Sequence, residues 1–109
     1  MAEAMVTRVD AWHRQRLNFT GGRFEFGDRR LRFVTEQNRS IFDTAQADAT
    51  IKYPWYDFGG GCRVRIGRGS FRFFFMPPSA ASGLFVFAAL GQAWRRCREF
   101  KTALRYNTP

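Results

Sequence analysis

Histidine occurs once in the 109 residues, at His13, and cysteine twice, at Cys62 and Cys97, 35 positions apart. That scarcity excludes a Cys-x-x-Cys zinc knuckle, a two-imidazole metal site and the dense disulfide framework of small secreted domains. No metal and no cofactor is implied, and two widely spaced thiols suit a reducing cytoplasm. Long apolar runs are also missing. The longest, residues 84–90, has seven residues, against the roughly 20 that span a bilayer. No charged leader precedes an apolar run at Met1, so neither a standard secretion signal nor a membrane span is expected. Acidic side chains are nearly absent from one half: residues 60–109 hold nine basic groups and one acid, Glu99, net +8, whereas residues 1–59 hold nine basic groups and eight acids, net +1. Lysine is rare as well, with Lys52 and Lys101 beside 16 arginines. A concentrated positive field steers nucleic acid, anionic headgroups or an acidic protein patch, although a solvated outer surface gives the same count.

Aromatic residues are abundant. They make up 17% of the chain, including 13 Phe, within a 45% hydrophobic total. That excludes a disordered chain even at a net charge of +9. From Gly21-Gly22 onward the pattern has a period of two. Phe24 and Phe26 alternate with Arg23 and Glu25, then Leu31 and Phe33 alternate with Arg30 and Arg32, predicting a hairpin turning at Gly27-Asp28. A third strand is predicted at Ile41-Phe42 and a fourth over residues 50–53, stopped by Pro54. After an aromatic bend at Trp55-Tyr56-Asp57-Phe58 and three glycines, Cys62, Val64 and Ile66 alternate with Arg63 and Arg65 in a fifth strand. A sixth follows with Phe71, Phe73 and Phe75 facing the core and Phe74 facing away. Beyond Pro77-Pro78 the period becomes 3.6, and Val86, Leu90, Ala93, Cys97, Phe100 and Leu104 form the stripe of an amphipathic helix. Ser79 or Ser82 would cap it, and Gly91 is tolerable there if it allows close approach to the sheet. Residues 1–18 are not legible. Met5, Val9 and Trp12 fall at helical spacing, yet a short helix, an arm or a first strand all fit. The predicted architecture is therefore α+β, with residues 1–20 set apart as an N-terminal arm or short helix and residues 21–109 as the domain.

Over residues 21–105 the chain resembles the GRAM/pleckstrin-homology-like (PH-like) superfamily, in particular small bacterial PH-like domains of unassigned role. The resemblance lies in the strand-turn-strand from Phe24 through Gly27-Asp28 to Phe33, and in Tyr53-Pro54-Trp55-Tyr56-Asp57-Phe58 with its glycines. It extends to Phe71-Arg72-Phe73-Phe74-Phe75 before Pro77 and to Gly91-Gln92-Ala93-Trp94. It implies a curled antiparallel sheet or barrel of six to seven strands closed by the C-terminal helix. It also implies basic residues on the first strands converging on a phosphate-rich headgroup, a place that Arg23, Arg30 and Arg32 would take. Read from the residues alone, Arg63, Arg65, Arg68 and Arg72 should align on one face of neighbouring strands. Trp55, Tyr56 and Phe74 are the candidate interaction patch.

Catalysis requires a nucleophile with a base, paired carboxylates or a metal, and no such spacing is present. The glycine runs lack the Gly-Lys-Ser/Thr of a phosphate-binding loop. The 68–75 segment lacks the aromatic order of an RNA-binding strand, and the Phe24–Phe33 hairpin leaves no room for the helix such a fold needs. The expected function is a non-enzymatic intracellular binding or adaptor module, cytoplasmic or peripheral to the membrane. Its partner would be an anionic membrane surface, a protein or a second copy of the chain. The alternative is a basic nucleic-acid-associated protein.

Overall fold

A computed structural model describes residues 7–15, 18–55, 59–76 and 86–107, with helix side chains described from residue 89 onward. Seven strands run in order: β1 (Thr7–Gln15), β2 (Asn18–Gly27), β3 (Arg30–Thr35), β4 (Ser40–Ala45), β5 (Ala49–Lys52), β6 (Gly61–Ile66) and β7 (Gly69–Phe74). A short 3-10 turn, Gln46–Asp48, joins β4 to β5, and helix α1 (Val86–Asn107) follows β7. All neighbouring strands are antiparallel, in the order β4-β3-β2-β1-β7-β6-β5. The sheet is open, with β4 and β5 as its edges, so the expected barrel is not closed by hydrogen bonds. The remainder of the plan is as expected: an α+β domain of antiparallel strands with one C-terminal helix.

Residues 7–15 are neither an arm nor a short helix. They form the central strand β1, paired to β2 on one side and to β7 on the other. Its inward positions are Val9, Ala11 and His13, only one of which is strongly apolar, while Trp12 points to the other face. That mixture erases the period-two signal. The sheet therefore extends through the segment that had been set apart at residues 1–20.

The β2–β3 hairpin turns one residue later than expected. Asp28 and Arg29 both have positive φ, 52° and 62°, the conformation of a two-residue hairpin loop whose twist matches the strands. The far end of the helix pins this loop. Asn107 Oδ1 accepts from the Arg29 amide at 3.1 Å, and its Nδ2 donates to the Arg30 carbonyl at 2.9 Å and to Gln46 Oε1 at 2.7 Å. Gln46 Nε2 in turn donates to the Leu104 carbonyl at 2.9 Å.

The core is a block of phenylalanine. Phe24 lies at its centre, with ring centroids 4.6 Å from Phe73, 4.7 Å from Phe100 and 5.1 Å from Phe33. Gly22 is obligatory beside it, because a Cβ there would lie 2.3 Å from the Val34 carbonyl oxygen. The buried stripe of α1 runs through Ala89, Ala93, Cys97, Phe100 and Ala103. Leu90 and Leu104 are half-buried at its flanks, so the stripe is turned slightly from the expected one, and small residues bring the helix close. Gly91 does not serve that purpose: it is exposed, and a Cβ would meet nothing within 4 Å. The side chain of Val86 and the caps expected at Ser79 or Ser82 lie outside the described residues.

Candidate functional site

The two arginine sets singled out in the sequence have different surroundings. Arg23 and Arg32 flank Glu25 on β2 and β3, where Glu25 Oε2 lies 2.9 Å from Arg23 Nε and Oε1 lies 2.6 Å from Arg32 Nε. Arg8 joins them at 3.3 Å. Glu25 is 4% exposed. Burial alone would push its pKa up, but hydrogen bonds from Arg23 and Arg32, reinforced by their charges, hold it below the ordinary value. Arg30 is paired instead with Asp43 on β4 at 3.0 Å. Arg32 and Arg30 therefore link strands through carboxylates, Arg23 pairs along its own strand, and all three direct their charge to Glu25 or Asp43.

Arg63, Arg65, Arg68 and Arg72 are gathered, and two cations that the sequence reading passed over join them. Antiparallel register places Lys52 opposite Arg63, Arg63 opposite Arg72, and Arg72 opposite Arg14. A row of four cations thus crosses β5, β6, β7 and β1 on the outer face, spanning about 14 Å at the usual strand spacing. The next row on that face is Thr50, Arg65 and Ser70, and Arg68 stands in the β6–β7 turn. Thr50, Lys52, Arg63, Arg65, Arg68 and Ser70, all exposed, line a concavity of about 270 Å³. Another concavity, of about 170 Å³, has mixed charge: Asp10, Arg23 and Glu36 line it with Trp12 and Gly22.

Aromatic side chains border the cationic row. Phe74 does not stand free: it is half-buried, with the Arg72 guanidinium 4.9 Å from its ring centroid and Phe19 at 5.8 Å. Phe19, the register partner of Arg14, is 41% exposed. Trp12 pairs with Phe74, and the Arg96 guanidinium from α1 lies 5.4 Å over its ring while donating to the Phe75 carbonyl at 2.9 Å. Trp55, three residues after Lys52, is 83% exposed. Tyr56 lies outside the described residues. Arg14 escaped the sequence reading because it sits in the illegible first strand, and Lys52 because only the β5–β6 register shows what it faces.

His13 is buried against Phe73, Phe71 and Phe33, at centroid distances of 5.2, 6.0 and 6.4 Å. Burial lowers its pKa. Cys62 and Cys97 are buried free thiols. Burial pushes the Cys97 pKa up, and the charge of Lys101 offsets this only in part. Tyr53, with the Lys101 ammonium 4.5 Å over its ring, also has a raised pKa, from burial first and then from the two thiols. Among the described residues no three His, Cys, Asp or Glu side chains gather as metal ligands would.

No protein-family model and no curated protein matches the chain. Among solved structures, the chain is similar to the PH domain of human TBC1 domain family member 2 protein, with 12% identity and a TM-score of 0.41, covering 100% of this chain and 88% of that one. The seven antiparallel strands and the C-terminal helix of the described residues agree with the α+β architecture expected from the sequence. None of the described helices is long and apolar enough to cross a membrane.

Proposed function

We propose that the chain is a non-enzymatic binding module whose β5–β6–β7 outer face docks on an anionic membrane surface, which places it in the cytoplasm at the membrane periphery. The observation that carries this reading is the in-register row Lys52, Arg63, Arg72 and Arg14. The row sets four positive charges side by side across four strands, and a negatively charged surface meets all of them together. Exposed Phe19 at one end and Trp55 beyond the other add the apolar anchors that, with basic residues, hold peripheral proteins at a headgroup layer.

Sedimentation with phosphatidylglycerol vesicles, compared with phosphatidylcholine vesicles across a salt series, tests the proposal. Binding should require the anionic lipid and weaken steeply with salt, and replacing Arg63, Arg65, Arg68 and Arg72 together by Gln should abolish it with the melt retained. A protein that ignores anionic vesicles but shifts DNA or RNA at about 50 mM salt would be nucleic-acid-associated instead. One that binds neither would leave a protein partner, read out by mutating Trp55, Tyr56 and Phe74 in a pull-down.

A further inference from the structure

Within the cationic face, the concavity has a more specific chemistry than the row. Its lining follows β6 from Arg63 through Arg65 to Arg68 in the turn, with Lys52 beside Arg63 and the hydroxyls of Thr50 and Ser70 on either side of Arg65. Among the described residues no acidic side chain lines it. Lys52, Arg65 and Arg68 make no ion pair or hydrogen bond among the described residues, whereas the described ion pairs all centre on Glu25 or Asp43. We infer that this concavity is a binding site for a multiply charged phosphate group, either a terminal phosphate or a short polyphosphate, lying along β6. The inference rests on the reading of this face as anion-binding.

Three features select that chemistry over a singly charged phosphodiester. Guanidinium groups bind phosphate oxygens through paired hydrogen bonds, and the guanidinium groups of Arg65 and Arg68, with the Lys52 ammonium, are lining donors that no described ion pair takes up. A singly charged group leaves most of those donors unmatched. Thr50 and Ser70 place neutral donors on either side of Arg65, between the cationic row and Arg68, which suits an elongated anion with oxygens along its length. The volume of about 270 Å³ has room for several phosphate groups but is lined too heavily by charge to favour an apolar ligand. Arg68 lies beyond the four-strand row, so the concavity can be separated experimentally from the docking surface.

Calorimetric titration with tripolyphosphate, orthophosphate and sulfate at constant ionic strength tests the site. Tripolyphosphate should bind saturably with one equivalent and more tightly than either smaller anion. Arg65→Gln and Arg68→Gln should each weaken it about tenfold, the loss of one charge-assisted contact, while Arg105→Gln, at an exposed position on α1 outside the cationic face, leaves it nearly unchanged. Arg68 is an exposed turn residue, so its variant should fold, and a melt checks this. Vesicles of phosphatidic acid and phosphatidylglycerol, matched in surface charge, form a second arm. Preference for phosphatidic acid that is lost in Arg68→Gln identifies a lipid-borne phosphate, and tripolyphosphate binding without that preference identifies a soluble ligand. Tripolyphosphate binding no tighter than sulfate, or undiminished by Arg68→Gln, overturns the inference even where phosphatidylglycerol vesicles still bind and the docking surface stands. Tripolyphosphate binding by a protein that ignores every vesicle upholds the site and sinks the membrane reading.

Discussion

The two halves of the sheet handle arginine in opposite ways. On β2, β3 and β4, each outward arginine of the expected headgroup set has a carboxylate within 3.0 Å, and one buried glutamate holds two strands together. On β5, β6 and β7 the cations face other cations across every pairing of the row. The same residue type in the same alternating pattern is thus cross-linking in one half and field-building in the other. Arginine in a strand sequence does not by itself announce a ligand. The deciding feature is whether an acid lies within reach on the same face, as Glu25 and Asp43 do.

If the two halves unfold as one cooperative domain, Phe24 is the place to break it. Its ring touches side chains of β3, β7 and α1, so Phe24→Ala should cost about 3–5 kcal/mol. Denaturant melts should show both halves lost in one transition. Two separate transitions by amide exchange would mean that the halves are independent units.

Glu25→Gln sharpens the contrast next. Losing the carboxylate that serves Arg23 and Arg32 should cost about 2 kcal/mol. Because the folded-state pKa of Glu25 is lowered, the wild-type contribution is full above the ordinary carboxylate pKa and is lost as pH falls through the lowered value. The variant should therefore melt earlier at neutral pH and show a flatter acid limb. A wild-type acid limb unchanged by the substitution would remove Glu25 from its role as the link.

At the seam between the halves, His13 responds to milder acid. Its neutral form is the buried one and its pKa is lowered, so the unfolded chain takes up the proton first. Stability should be full above a pH of about 6.5 and decline as pH falls below it, levelling once the folded-state pKa is passed. A His13→Phe variant should lose that slope in thermal melts between neutral and mildly acid pH. Retention of the slope would assign it elsewhere.

The smallest expected effect is on the cationic side. Lys52→Gln removes one like-charge opposition to Arg63 and should raise stability by about 0.3 kcal/mol at low salt, a gain that high salt erases. A loss of stability at low salt would mean that the row is already balanced without a ligand.

Much of this arrangement was legible in the sequence because period carries facing. The Phe24–Phe33 hairpin, the alternation of β6 and β7, and the helix were readable from spacing alone, as was the clustering of Arg63, Arg65, Arg68 and Arg72. Strand β1 was not readable, since its inward residues include Ala11 and His13 and its outward ones include Trp12. Register was equally hidden. Sequence put Arg23 and Arg32 on an outer face but could not say that Glu25 would lie between them, nor that Lys52 and Arg14 would extend the other row. Pairings between distant strands are fixed by the assembled core, and no local pattern encodes them.

The position of β1 also bears on how the molecule comes together in time. The β2–β3–β4 meander and the β5–β6–β7 group each join strands consecutive in the chain, so each can begin to pair from local contacts. They become one sheet only when His13 meets Phe73, and Asn107 then has to return to the Arg29 turn. Such non-local closures lose chain entropy before they gain contacts, and this slows folding. During that interval the Phe24 cluster lacks its β7 and helix partners, and the half-built domain exposes its aromatic interior. Synthesis must therefore pass β7 and most of α1 before that interior is covered, making the interval before β1 finds β7 the stage most vulnerable to aggregation.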